Sequence, residues 1–189
     1  MLTKVVALDP ENDELIYACS DVFRAVGKLY SPDYAKFMAR RGVMWAAVDE
    51  ANKVLGVLAT ELWSAWDSKE WNPLLSEDRR LSTDPPALFL TDLGVAHGDR
   101  LKGVGTSLVQ HAIDCSTFVD DGSKFNRVFA VSRVPPGGLP TSYGLLLRLG
   151  FAELAVAGRG YYWDADAWCC PDCGRHCNCA GHLMQWTRG

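Results

Sequence analysis

The stretch LFLTDLGVAHGDRLKGVGTSLVQ, residues 88–110, decides the fold. Its apolar beginning predicts a strand, and its end predicts an amphipathic helix. Between these two elements lie Arg100, Lys102, Gly103 and Gly105. A helix N-terminus presents unpaired N–H groups and a partial positive charge, and glycines let a ligand approach the backbone. The stretch therefore predicts an anion site that suits a pyrophosphate group.

Strands and helices alternate on both sides of this stretch. Their predicted order is β-α-α-β-β-β-α-β-α-β-β, with the last two strands at residues 151–158 and 161–168. This order predicts a mixed α/β (α+β) fold with one central sheet and helices on both faces. We expect a first domain at 1–166 and a small metal-binding tail at 167–189.

The composition excludes several classes of protein. The chain has 189 residues, a hydrophobic fraction of 48% and a net charge of −4, so it has apolar material for a core but lacks the positive charge of a general nucleic-acid binder. No apolar run is long enough for a signal peptide or a membrane helix. We therefore expect a cytoplasmic protein that does not bind membranes, and the composition disfavours nucleic acid as a partner. Thiols in that compartment stay reduced.

The glycine spacing resembles one known family. Residues 100–105 read Arg-x-x-Gly-x-Gly, and residues 93–95 before them read Leu-x-Val. The segment LLLRLGF, residues 145–151, is similar to a helix-to-strand element of the same family. These motifs, together with the element order of residues 1–166, resemble the GCN5-related N-acetyltransferase (GNAT) superfamily.

The resemblance implies a function. Such a protein would transfer an acetyl group from acetyl-CoA to an amine on a small molecule or a peptide, by direct attack of the amine. The strand edge would pair with the pantetheine arm, and a backbone N–H near Val95 would stabilise the oxyanion. The implied acetyl-CoA contacts are Leu93, Gly94, Val95, Arg100, Leu101, Lys102, Gly103, Val104, Gly105 and Thr106. A homodimer is compatible with this function.

The catalytic residues are less clearly indicated. Many members of the family have a tyrosine that protonates the departing thiolate, but Leu146 occupies that position here. Tyr143 lies one helical turn earlier and is the candidate acid, with packing as its alternative role. Asp92, a carboxylate within an apolar strand, is the candidate base, and Ser132 is a weaker candidate. Direct loss of the amine proton to water would make a base unnecessary.

The segment CCPDCGRHCNCAGH, residues 169–182, predicts a metal site. Two cysteines separated by two residues, with a glycine after them, are typical of a zinc-binding turn. The candidate ligands are Cys170, Cys173, Cys177, Cys179 and His182. We expect structural zinc, which would supply the folding energy of the tail. An iron–sulfur cluster, a disulfide and an unliganded tail remain alternatives.

Two other functions compete with the enzyme. A catalytically inactive domain of the same fold would bind CoA or nothing, and its zinc tail would bind a partner. A zinc-dependent nucleic-acid-binding protein is the third, and the negative net charge disfavours it.

Overall fold

A computed structural model of the chain describes residues 4–26, 31–40, 44–63, 69–77, 80–81, 86–100, 102–115, 125–138, 141–158, 173 and 177–189. Its strands are β1 (Lys4–Ala7), β2 (Met44–Val48), β3 (Val54–Leu62), β4 (Leu88–Val95), β5 (Arg127–Val134), β6 (Ala152–Ala157) and β7 (Ala180–Thr187). Its principal helices are α1 (Asp13–Ala25), α2 (Pro32–Arg40), α3 (Val104–Cys115) and α4 (Thr141–Arg148). No helix in these ranges combines the length and the apolar character needed to cross a bilayer.

The strands form one seven-stranded sheet in the order β1-β2-β3-β4-β5-β7-β6. The pair β4–β5 is parallel, whereas β1–β2, β2–β3, β5–β7 and β6–β7 are antiparallel. The sheet is therefore mixed, and the predicted fold class is confirmed.

The first compact unit comprises Met1–Thr60 and Thr91–Cys115. Asn12 caps α1, because its side-chain oxygen accepts a hydrogen bond from the backbone N–H of Leu15 at 3.1 Å. One face of α1 is apolar and lies in the core of this unit, where Ile16 and Phe23 are fully buried. Packing of this face stabilises the helix more than its propensity does.

The second compact unit comprises Glu61–Leu90 and Ser116–Gly189. Its strand β7 pairs with β5 along eight residues and with β6 on its other side. Trp63 packs on Phe129 with ring centroids 4.4 Å apart, and both rings belong to the core of this unit.

The position of β7 differs from the expected arrangement. The sequence predicts the partner of β6 at residues 161–168, which lie outside the described residues, whereas the strand paired with β6 is Ala180–Thr187. Leu183 and Met184 are adjacent and both fully buried, as expected for a strand with neighbours on both sides and covered faces. Part of the segment predicted as a metal-binding tail is thus a sheet strand, and the boundary at 166/167 stays a prediction.

Candidate functional site

The turn from β4 to α3 belongs to the first unit. The backbone N–H of Ala96, just after β4, donates to the carbonyl of Leu55 at 2.9 Å. A single 3₁₀ turn follows at His97–Asp99, and the N–H of Asp99 donates back to Ala96 at 2.9 Å. We call residues 96–103 the α3 loop. Its course places the first N–H groups of α3, which have no intrahelical acceptor, at the end of β4.

Gly103 lies directly before α3 in a left-handed conformation, with φ +85°. Residues with a side chain adopt this conformation only at a cost, so the position favours glycine. A Cβ atom added here would meet no atom of the described chain within 4 Å. The space beside Gly103 is therefore open to a ligand at the positive end of the helix.

Two cationic side chains lie in the α3 loop, and they differ in environment. Lys102 Nζ lies 3.1 Å from Oδ1 of Asp99, whose side chain is only 9% exposed. Arg100 is exposed at the end of the 3₁₀ turn. Because Asp99 neutralises part of the Lys102 charge, Arg100 is the stronger candidate for binding an anion. Leu101, a predicted contact, lies outside the described residues.

Gly56, on β3, also shapes the start of α3, although it lies outside the Arg-x-x-Gly-x-Gly motif. A Cβ atom on Gly56 would lie 2.8 Å from Cγ1 of Val104 and 3.0 Å from the carbonyl oxygen of Gly94. Both distances are shorter than normal contacts, so Gly56 allows the first residue of α3 to approach β3 closely. A glycine inside an apolar strand is the sequence signal for such a close approach.

Within the second unit, β4 pairs with β5 in a parallel ladder that joins Leu88–Leu90 to Val128–Ala130. The predicted contacts Leu93–Val95 follow at the end of β4 that enters the α3 loop. Asp92, the candidate base, lies between these two stretches, and its Oδ1 atom is buried.

Helix α4 and strand β5 carry the other catalytic candidates, Tyr143 and Ser132. Leu146, at the position of the family tyrosine, is 5% exposed and therefore buried. Ser132 on β5 is also buried, and its hydroxyl lies 3.0 Å from that of Ser142 on α4. Ser142 was not among the predicted site residues. The structure thus brings Ser132 into contact with α4. The residue at the position of the family tyrosine is a buried leucine, which has no proton to donate.

The Tyr143 hydroxyl donates to Oε2 of Glu153 on β6 at 2.9 Å. Nδ1 of His182 on β7 lies 2.6 Å from the same oxygen. We call these three residues the Glu153 network. Burial raises the pKa of Glu153. The hydrogen bonds from His182 and Tyr143 together lower that pKa by a larger amount, so the net pKa of Glu153 lies below the usual value. The hydrogen bond to Glu153, with burial adding to it, raises the pKa of Tyr143.

Three predicted metal ligands lie together before β7. The Sγ atoms of Cys173, Cys177 and Cys179 are all within 4.8 Å of one another, and we call them the thiol cluster. This arrangement can hold a metal ion. Nδ1 of His182, another predicted ligand, contacts Glu153, so its place among the ligands stays a prediction, and Cys170 lies outside the described residues.

No protein-family model matches the chain, and no curated protein matches it by sequence. Solved structures do match it along their whole length. A chain of the NatC complex bound to Gag peptide and CoA is 15% identical, with a TM-score of 0.68 and 100% of both chains covered. NAA60 of Arabidopsis thaliana in complex with a bisubstrate analogue is 16% identical, with a TM-score of 0.65 and 98% of each chain covered.

A GNAT-family acetyltransferase from Bacillus cereus ATCC 10987 is also similar in structure. It is 12% identical and has a TM-score of 0.63, with 100% of this chain and 99% of that chain covered. The chain therefore has the GNAT fold, as its β4–α3 motif indicates. At these identities the likeness concerns the fold, and the function has to be argued from the site.

Proposed function

We propose that the chain is an N-acyltransferase that transfers the acetyl group of acetyl-CoA to an amine acceptor. The observation that carries the proposal is the open start of α3, where Gly103 has φ +85° and free space beside it. The GNAT fold supports it, because a solved structure with this fold, the NatC complex, is described with bound CoA. A helix start of this kind suits the pyrophosphate of CoA.

Acetyl-CoA would lie along β4 and the α3 loop. The N–H groups of Lys102–Thr106 would bind the pyrophosphate, and the Arg100 guanidinium would add a charge-assisted hydrogen bond. The edge of Leu93–Val95 would pair with the pantetheine arm. Leu93–Val95 and the α3 loop belong to the same compact unit, which supports this placement.

The chemistry needs an unprotonated amine and a stabilised oxyanion. The amine nitrogen attacks the thioester carbonyl carbon, the C–N bond forms, and the carbonyl oxygen gains negative charge near the N–H of Val95. The C–S bond then breaks, the CoA thiolate leaves, and the ammonium proton passes to a base or to water. Asp92 is the candidate base, because it is a carboxylate on β4 directly before Leu93.

No tyrosine acid is required for this reaction. A thiol has a pKa near 8.5, so a thiolate is a fair leaving group at neutral pH. Leu146 is buried, and the Tyr143 proton is held by Glu153, which makes Tyr143 a weaker acid than a free phenol. We therefore propose that positioning and the oxyanion site carry most of the rate.

The acceptor would be a small amine or the amine of a peptide. Because the similar NatC structure is described with a Gag peptide, a peptide amine is the first class to test. We place the activity in the cytoplasm, where the cysteines of the thiol cluster would stay reduced. A homodimer stays a prediction.

One observation favours a second function, a CoA-binding module without catalysis. The family's tyrosine position holds a buried leucine, Leu146. Such a module would bind CoA at the same α3 loop but release no thiol in the presence of amines.

Calorimetric titration with acetyl-CoA, followed by a thiol-release assay over peptide and small amines, tests the proposal. We expect saturable binding and amine-dependent release of CoA thiol. Binding without release from any amine would favour the non-catalytic module. Absence of binding would overturn both CoA-dependent functions.

A further inference from the structure

The thiol cluster of Cys173, Cys177 and Cys179 lies at the edge of the β5–β7 ladder. Cys177 and Cys179 immediately precede β7, whose first residue, Ala180, pairs with Val134 at the end of β5. The exposed fractions of Cys177 and Cys179 are 2% and 0%. Any ion bound here would therefore sit at the entry of a central strand.

The sulfur separations fit a shared ion better than a disulfide. The Sγ atoms of Cys173 and Cys179 are 3.6 Å apart. A disulfide bond is about 2.05 Å long. Two sulfurs that each lie about 2.3 Å from one tetrahedral zinc ion are about 3.8 Å apart. Thiolates bound to different irons of one cluster would lie farther apart, so a single ion also fits better than an iron–sulfur cluster.

Two donors point at these sulfur atoms. The backbone N–H of Cys179 lies 3.5 Å from Sγ of Cys177. Nη1 of Arg133, on β5, lies 4.0 Å from Sγ of Cys179. Both donors favour the negatively charged form of sulfur. Three thiolates and a divalent cation carry a net charge of about −1, which the Arg133 guanidinium offsets.

We propose that Cys173, Cys177 and Cys179 bind one divalent zinc ion as thiolates, with Arg133 as the charge-compensating neighbour. The ion would hold the segment that precedes β7 at the entry of that strand, beside Arg133 of β5. Its fourth position would be filled by water or by one more side chain. The proposal does not depend on acetyl transfer, since none of these residues belongs to the α3 loop.

The test measures metal content on the full-length chain without a histidine tag. Zinc is quantified by elemental analysis, and cobalt substitution reports thiolate coordination through a sulfur-to-cobalt absorption band. We expect about one zinc per chain and that band in the wild type. Cys115→Ser, which changes an exposed cysteine on α3, is the matched control and should keep both.

Cys179→Ser should lower zinc affinity by at least about tenfold and abolish or shift the absorption band. If it does not fold, Cys173→Ser replaces it, because Cys173 is less buried and its loss perturbs packing less. A zinc-free wild type after purification with zinc, or full zinc binding in Cys173→Ser, would overturn the proposal. Acetyl-CoA titration of the same samples shows separately whether the α3 loop binds acetyl-CoA.

Discussion

The α3 loop and the thiol cluster are two candidate sites built on opposite principles. The α3 loop offers main-chain N–H groups and depends on Gly103 and Gly56, whose lack of a side chain creates space. The thiol cluster offers side-chain sulfurs, each of which would itself be a ligand. A site built from main-chain N–H groups keeps its ligand after most substitutions but loses affinity when its glycines are replaced. A site built from side-chain ligands loses affinity when any one of those ligands is replaced. The following predictions probe this difference.

The largest effect in the main-chain site is expected for Gly56→Ala. The added methyl group would lie 2.8 Å from Val104 and 3.0 Å from the Gly94 carbonyl oxygen, so the start of α3 must move. We expect the free energy of unfolding to fall by about 1–3 kcal/mol, measured by denaturant titration. Gly98→Ala is the control, because its added methyl group meets nothing within 4 Å. Equal stability of the two variants would contradict the packing role of Gly56.

The next effect concerns affinity and is expected for Gly103→Ala. The methyl group would occupy the open space at the helix start and strain a residue with φ +85°. We expect the Kd for acetyl-CoA to rise by about tenfold, or ~1.4 kcal/mol, by calorimetry. Gly150→Ala is the matched control, since Gly150 has the same φ and its added methyl group makes only an ordinary contact, 3.8 Å from Trp186. If the Kd for acetyl-CoA rises equally in Gly150→Ala and Gly103→Ala, backbone strain rather than the binding site explains the loss of affinity.

A smaller effect separates the two cations of the α3 loop. Arg100→Gln should weaken acetyl-CoA binding about three- to fivefold, and Lys102→Gln should weaken it less, because Asp99 lies 3.1 Å from Lys102. Titration at two salt concentrations checks this, since screening reduces the contribution of an exposed charge. A larger loss for Lys102→Gln would mean that the ion pair opens when the ligand binds.

The smallest effect is a pH dependence in the second unit. The folded-state pKa of Glu153 lies below its usual value of 4.5, so the carboxylate stabilises the fold above that value. This stabilisation is lost as the pH falls through the folded-state pKa. We therefore expect the wild type to be more stable than Glu153→Gln at neutral pH, by less than about 1 kcal/mol because the side chain is partly exposed, and to lose that advantage below pH 4.5.

Denaturant titration across the acidic range measures this advantage. Glu50→Gln, at an exposed position in the turn after β2, is the control for loss of one negative charge. A wild-type advantage that persists unchanged below the folded-state pKa would rule out the Glu153 carboxylate as its source.

The element order through β6 and the α3 loop could be predicted because both are encoded locally. The strand-to-helix switch and the glycine spacing at residues 100–105 lie within one short segment, so periodicity and spacing suffice. The fold class is confirmed for the same reason. Gly56 escaped prediction because its importance depends on Val104, which is distant in sequence.

The second unit was harder to predict because its key contacts join distant residues. His182 is a predicted metal ligand because it is near the cysteines in sequence, whereas its contact with Glu153, 29 residues earlier in sequence, could not be predicted. Strand β7 was not anticipated, because its cysteine-rich approach resembles a separate tail. Spacing reveals ligands that are near in sequence, and it cannot reveal which strand will accept the segment that follows them.

The order β5-β7-β6 has a consequence for synthesis on the ribosome. Strand β6 is completed before β7, yet β7 is its ladder partner among the described strands, and residues 158–179 separate the two. Until residues 180–187 emerge, the facing edges of β5 and β6 have no strand between them, and such edges readily pair with other chains. A nascent chain paused between these two strands therefore exposes two strand edges that can pair with other chains.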